Sequence, residues 1–96
     1  MSEFKTWKEV RKTLHFTPEE EEEMRLEREI IFATMKAREK SKLTQTELAK
    51  KSGIKQPNIA KLENYQRSPQ VSTLLKLLYS MGYTLKVVPL EESKSE

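Results

Sequence analysis

The chain has no cysteine and no aspartate, and only one histidine and two glycines among its 96 residues. Without thiols there are no disulfide frameworks, thiolate zinc sites or cysteine nucleophiles. Without aspartate, EF-hand loops and aspartate-supported triads cannot be built. Gly53 and Gly82 stand far apart, so no glycine-rich loop is available to cradle a phosphate. Long apolar runs are also missing: no stretch approaches the roughly 20 apolar residues of a membrane span. Residues 1–11 are polar and lead into no short apolar segment with a small-residue cleavage site, so a secretory signal is not expected. Glutamates, hydroxyls and His15 are what remains for catalysis. His15 follows an amphipathic stretch and reads as a satisfied or solvated imidazole, and the clustered glutamates have no cleft to raise their pKa. The expectation is a soluble cytoplasmic protein that is not an enzyme and has no cofactor, metal, small-molecule substrate or membrane partner.

What the chain does have is charge, unevenly placed. Residues 1–40 carry nine basic and ten acidic side chains, whereas residues 41–88 carry eight basic and two acidic ones. A near-neutral front is followed by a basic back, and a basic segment attracts phosphate backbones through counterion release. A content of 35% hydrophobic and 34% charged residues fits one small helical domain with a modest core.

Phe4, Trp7, Val10 and Leu14 recur at helical spacing, which predicts a short amphipathic N-terminal helix. Its aromatics, with Phe16, need something to pack on, either the chain's own domain or a partner. Thr17, Pro18 and Glu20 form a capping box with proline at the first helical position, so a long helix starts there. Glu19–Glu23 complement the helix dipole. Leu26, Ile30, Ala33 and Ala37 then form one stripe, with Met24, Ile31 and Met35 beside it. A second capping box, Thr44 with Glu47, opens a short helix that stops at Gly53. Lys55 or Gln56 opens a third, with Pro57 in its first turn and Ile59 and Leu62 on its buried face. Two short helices joined by a glycine turn make the helix-turn-helix pattern. A fourth helix from about Ser72 carries Leu74, Leu75, Leu77, Leu78 and Met81 and ends at Gly82.

Tyr83, Leu85 and Val87 alternate with Thr84, Lys86 and Val88, the period of a strand. No second strand is evident, and lone edges are avoided, so this strand is expected to pair with its copy across a two-fold axis and form a homodimer. The fold class is therefore mainly α: five or so helices, with one C-terminal β-strand pairing across a dimer. The expected organisation is an N-terminal helical extension over 1–27, a helix-turn-helix domain over 28–82, a dimerisation strand over 83–90 and a disordered tail over 91–96.

Residues 43–82, LTQTELAKKSGIKQPNIAKLENYQRSPQVSTLLKLLYSMG, closely resemble the helix-turn-helix domains of the Cro and phage-repressor class, the XRE family. The resemblance rests on the LTQxELA opening, the glycine turn, the IAKLE recognition helix and the P…TL…L…G closing helix. It implies that Gln45 bonds a phosphate of a double-stranded operator and that Gln56, Asn58 and Lys61 face the major groove. Thr46, Asn64 and Arg67 are implied as further phosphate contacts. Two departures stand out. Lys55 occupies the recognition-helix cap where relatives carry a small residue, which aims a lysine at DNA, and Tyr65 stands after the recognition helix where glycine is common.

A helix-turn-helix domain preceded by an acidic and aromatic extension and followed by one terminal strand resembles the HigA type of antitoxin. That likeness implies a HigB-like toxin, a small basic RelE-type ribonuclease, as partner, and repression of the shared operon. The implied toxin-binding surface is Phe16, Glu20, Glu23, Met24, Leu26, Glu27 and Ile31, carboxylates meeting a basic nuclease around an apolar centre. Tyr83, Leu85 and Val87 are the expected dimer contacts. A stand-alone dimeric XRE-family regulator is the other reading. A protein-interaction domain that has lost DNA binding is disfavoured by the retained polar Gln45, Gln56 and Lys61.

Overall fold

Thr17 begins the first helix for a local reason. Its hydroxyl accepts from the Glu20 N–H at 3.1 Å, and Glu20 Oε1 accepts from the Thr17 N–H at 3.0 Å, so two otherwise unpaired donors are satisfied at once. The structure, a computed structural model, describes residues 15–90. The helix expected ahead of Thr17 and the tail beyond Leu90 fall outside the described residues. Four helices are present among the described residues: α1 (Pro18–Lys40), α2 (Gln45–Ser52), α3 (Gln56–Glu63) and α4 (Val71–Ser80). None is long and apolar enough to cross a membrane.

The Thr44 box repeats the same chemistry at the start of α2, with N–H donors at 2.8 and 3.0 Å. The N-caps of α3 and α4, Lys55 and Gln70, make no side-chain cap bond. Pro57 removes one of the orphan amides of α3 instead, where a missing N–H costs nothing. Helix α4 starts at Val71, one residue before the expected Ser72.

Three helices close in the same way, with a left-handed residue after the cap and two reversed backbone bonds. At the end of α4 the left-handed residue is Gly82 (φ 86°), with Gly82 N–H bonding Tyr79 O and Tyr83 N–H bonding Leu78 O. At the ends of α1 and α3 it is Lys42 (φ 60°) and Tyr65 (φ 59°), residues with a Cβ that crowds this conformation. Tyr65 N–H bonds Leu62 O and Gln66 N–H bonds Lys61 O, so the departure at Tyr65 is absorbed by strain in an unchanged turn.

The core is Ile31, Leu48, Ile59, Leu62, Leu74 and Leu77, flanked by half-buried Ile30, Leu43, Ala49, Ile54 and Met81. Helix α2 packs on α3 and α4, and α1 packs on the same two. Full burial of one such aliphatic side chain contributes about 1.5–3 kcal/mol. Two sequence expectations for α1 need correction. Its buried face is Ile31, Thr34 and Ala37, while Ala33 is exposed and Ile30 only half-buried. Thr34 tolerates burial because its hydroxyl donates to Ile30 O at 2.8 Å, so hydropathy alone misplaced the stripe. Ile31, placed in the toxin-contact set, is 3% exposed in the domain core and cannot serve as a contact.

No strand occurs among the described residues, and residues 83–89 are without regular structure. A strand requires a ladder partner, and no other segment of the same described chain supplies one. The broad apolar face of α4 is only partly used: Leu74, Leu77 and Leu78 are buried, whereas Leu75 is exposed and Tyr79 is 85% exposed.

Candidate nucleic-acid interface

The angle between α2 and α3 is set by Leu48, Ile59 and Leu62 beneath them, with half-buried Ala49 and Ile54 packed against the same core. Gly53 (φ 81°) makes the turn between them, a conformation that glycine adopts without steric cost. Above this base, Thr46, Lys55, Asn58, Lys61, Asn64 and Arg67 are all exposed. Lys55, Asn58 and Arg67 converge on one cleft, floored by Leu62 and closed by Ser68, Pro69 and Thr73. Thr46 lies in the first turn of α2, Lys61 in the last turn of α3, and Asn64 is the C-cap of α3.

Gln45 and Gln56 behave differently from the other expected contacts. Both are half-buried, and Gln56 Nε2 donates to Gln45 Oε1 at 2.8 Å. Gln45 Nε2 in turn donates to Glu63 Oε1 at 2.9 Å. The Glu63 carboxylate is gripped by Arg38, whose Nε donates to Oε2 at 2.7 Å and whose Nη2 donates to Oε1 at 3.0 Å. Arg38 Nη1 completes the set by donating to Leu43 O at 2.8 Å. The ion pair is largely buried, with side-chain exposures of 15% for Arg38 and 7% for Glu63. The hydrogen bonds it donates to Glu63 raise the Arg38 pKa above its ordinary value, with partial burial opposing them, so the guanidinium is a permanent cation.

A continuous chain thus runs from the end of α1, through the end of α3, to the first residues of α2 and α3. Arg38 and Glu63 were absent from the sequence-based site. One signal could have found Glu63: it is the lone carboxylate between Glu47 and Glu91, inside an otherwise basic stretch. A glutamate is almost never buried unless it is paired, so once Glu63 is known to be buried a cation beside it is expected.

The expected toxin surface on α1 adjoins this face at one point, since Ser68 of the cleft is the partner of Glu27. On α1, Glu20 is committed to the cap of its own helix, and Glu27 accepts at 3.3 Å from the Ser68 hydroxyl. Glu23 is exposed, and Phe16, Met24 and Leu26 are half-buried. Arg25 bridges Glu22 and Glu29, which leaves fewer free carboxylates on this helix than its composition implies. Tyr83 and Leu85 line an apolar groove with Ile30, Ala33, Ala37 and Leu78, while Val87 projects fully into solvent. His15 is exposed, and no cluster of metal-ligating residues occurs among the described residues.

Comparison with known proteins agrees with this geometry. A helix-turn-helix family profile (HTH_3) matches residues 35–87. An uncharacterised HTH-type transcriptional regulator of Haemophilus influenzae is 40% identical over 84 residues, covering 88% of this chain and 85% of that protein. A chain of a toxin-antitoxin module from Streptococcus pneumoniae superposes with a TM-score of 0.62 at 42% identity, covering 91% of this chain and 96% of that one. From the matched residues, the packed α2–turn–α3 unit and these relatives together, the chain belongs to the helix-turn-helix family.

Proposed function

We propose that this protein is an antitoxin that represses its own operon as a dimer and silences a small basic ribonuclease of the HigB or RelE kind. The observation that carries this reading is the extent of the likeness to the Streptococcus pneumoniae toxin-antitoxin chain. At 91% coverage it reaches well outside residues 35–87 and so includes much of the flanking sequence. A shared DNA-binding unit alone would not require that.

In this reading Gln56, Asn58, Lys61 and Lys55 face the major groove, and Gln45, Thr46, Asn64 and Arg67 meet phosphates. The toxin meets α1 ahead of the core, through Glu23, Met24, Leu26, Glu27 and Phe16, with the 1–27 extension as the toxin-binding region. Tyr83, Leu85 and Val87 form the dimer contact, the apolar groove beside Tyr83 and Leu85 receiving the second copy. Leu85→Glu then yields monomers by sedimentation and loses cooperative binding to a two-half-site duplex. A Leu85→Glu protein that stays dimeric removes the strand-pairing element. No catalysis is assigned to the chain.

A stand-alone regulator of the same fold is the second reading, favoured by the likeness to the Haemophilus influenzae HTH-type transcriptional regulator. Co-expression decides between them. The tagged chain is produced with the small reading frame adjacent to its gene, and growth and complex formation are followed. Growth arrest by the neighbour alone, relieved by this chain in a complex that co-purifies, is the expected result. No complex, alongside salt-sensitive binding to a palindrome upstream of its own gene, leaves the regulator without a toxin.

A further inference from the structure

We infer that Glu63, though buried and unable to touch DNA, determines which base Gln56 selects, by fixing the polarity of two amides in series. The inference deepens the DNA-binding reading and rests on it. A carboxylate has only acceptor oxygens, so the Gln45 atom 2.9 Å from Glu63 must be its amide nitrogen. Gln45 therefore turns its carbonyl toward Gln56, and the Gln56 atom 2.8 Å away must be a donor, again the nitrogen. Arg38 holds the Glu63 carboxylate in place with two charge-assisted bonds at 2.7 and 3.0 Å, so the direction of the whole series is set from α1.

The consequence lies in what Gln56 has left to offer. One of its two N–H groups is spent on Gln45, and among the described residues its Oε1 has no partner. It presents one N–H and one carbonyl. Adenine shows one acceptor (N7) and one donor (N6) in the major groove, so both free groups are satisfied. Guanine shows two acceptors, N7 and O6, and would set the Gln56 carbonyl against a carbonyl. A glutamine released from this series could turn its amide over or present both N–H groups, and the distinction would fade. Glu63 and Gln45 are thus positioning residues for base choice, and Gln56 is the reader.

The test is selection from a pool of DNA duplexes with a randomised central segment, using the full-length wild-type chain, Gln56→Ala, Glu63→Met and Gln45→Met. Sites recovered by each protein are sequenced, and the adenine-over-guanine ratio is measured at the position whose preference disappears in Gln56→Ala. The wild-type protein is expected to favour adenine there by about tenfold or more. In Glu63→Met, which removes the acceptor, and in Gln45→Met the ratio is expected to fall to within about threefold of unity while other positions keep their preferences. Overall affinity is read separately, because loss of a phosphate contact by Gln45→Met lowers binding to all sequences alike. Gln45→Met leaves the Arg38–Glu63 pair intact, so it decides the matter if Glu63→Met does not fold. An unchanged ratio in either folded variant overturns the inference, as does a wild-type preference for another base at the Gln56 position. A wild-type chain that enriches no sequence overturns the DNA-binding reading itself, an outcome distinct from sequence enrichment without the relay.

Discussion

The two halves of α1 belong to one continuous helix of 23 residues yet lie in different surroundings. From Ile31 onward the helix is part of the domain: Ile31, Thr34 and Ala37 are buried, and Arg38 anchors the polar series that ends at Gln56. From Pro18 to Ile30 no residue is fully buried, and the helix is laced by its own pairs, Arg25 with Glu22 and with Glu29. The same contrast recurs at the other end, where Leu77 is 1% exposed but Val87, ten residues later, is fully exposed. Apolar residues occur on both sides of each divide. What differs is whether neighbouring elements surround the side chain, so the apolar groups of the flanks are available to a second molecule in a way that those of the core are not.

The sharpest way to break that contrast is to delete matched apolar groups. Leu77→Ala should cost about 2–5 kcal/mol in urea unfolding through the cavity it leaves, whereas Val87→Ala should change monomer stability by less than about 0.5 kcal/mol. Equal losses would mean that the C-terminal segment is packed in solution. Next in size, Arg38→Met strands a buried carboxylate and should cost about 3 kcal/mol, and the double change Arg38→Met with Glu63→Leu should recover most of that. A double mutant no better than the single one would show that the pair is needed for folding beyond its charge. Gln56→Ala is expected to weaken binding to a selected duplex by about 1–3 kcal/mol and to leave a co-purifying toxin complex intact. Loss of both together would show that the proposed DNA and toxin surfaces act as one. Smallest of all, Tyr65→Gly relieves a left-handed residue and should raise stability by up to about 1 kcal/mol, less the packing that Tyr65 supplies. A destabilised variant would show that the exposed tyrosine ring contributes more than its backbone strain costs.

Much of the fold was legible because its signals are short-range. The boxes at Thr44–Glu47 and Thr17–Glu20 span four residues each, and both were read directly and are formed as read. Gly53 and Gly82 mark the turns they were expected to mark. The candidate DNA face was half-legible. The exposed positions Asn58 and Lys61 follow from helical spacing once the buried Ile59 and Leu62 are known, whereas Arg67 lies in the connection after α3 where no such spacing applies. That Gln45 and Gln56 are tied to each other rather than merely outward-facing was not legible, because no local pattern announces a bond between side chains 11 residues apart.

By itself the sequence determined where helices begin and end, which positions are apolar, and that the basic charge lies behind residue 40, since all of these depend on near neighbours. Only the tertiary structure decided which apolar positions become core. It placed Ile31 and Thr34 inside and left Ala33 out, because burial depends on what packs from 25 or more residues away. It also brought Arg38 to Glu63 across 25 residues of chain. Their charges can be read from composition, but whether they meet depends on the crossing of α1 and α3, which the shared core beneath them sets.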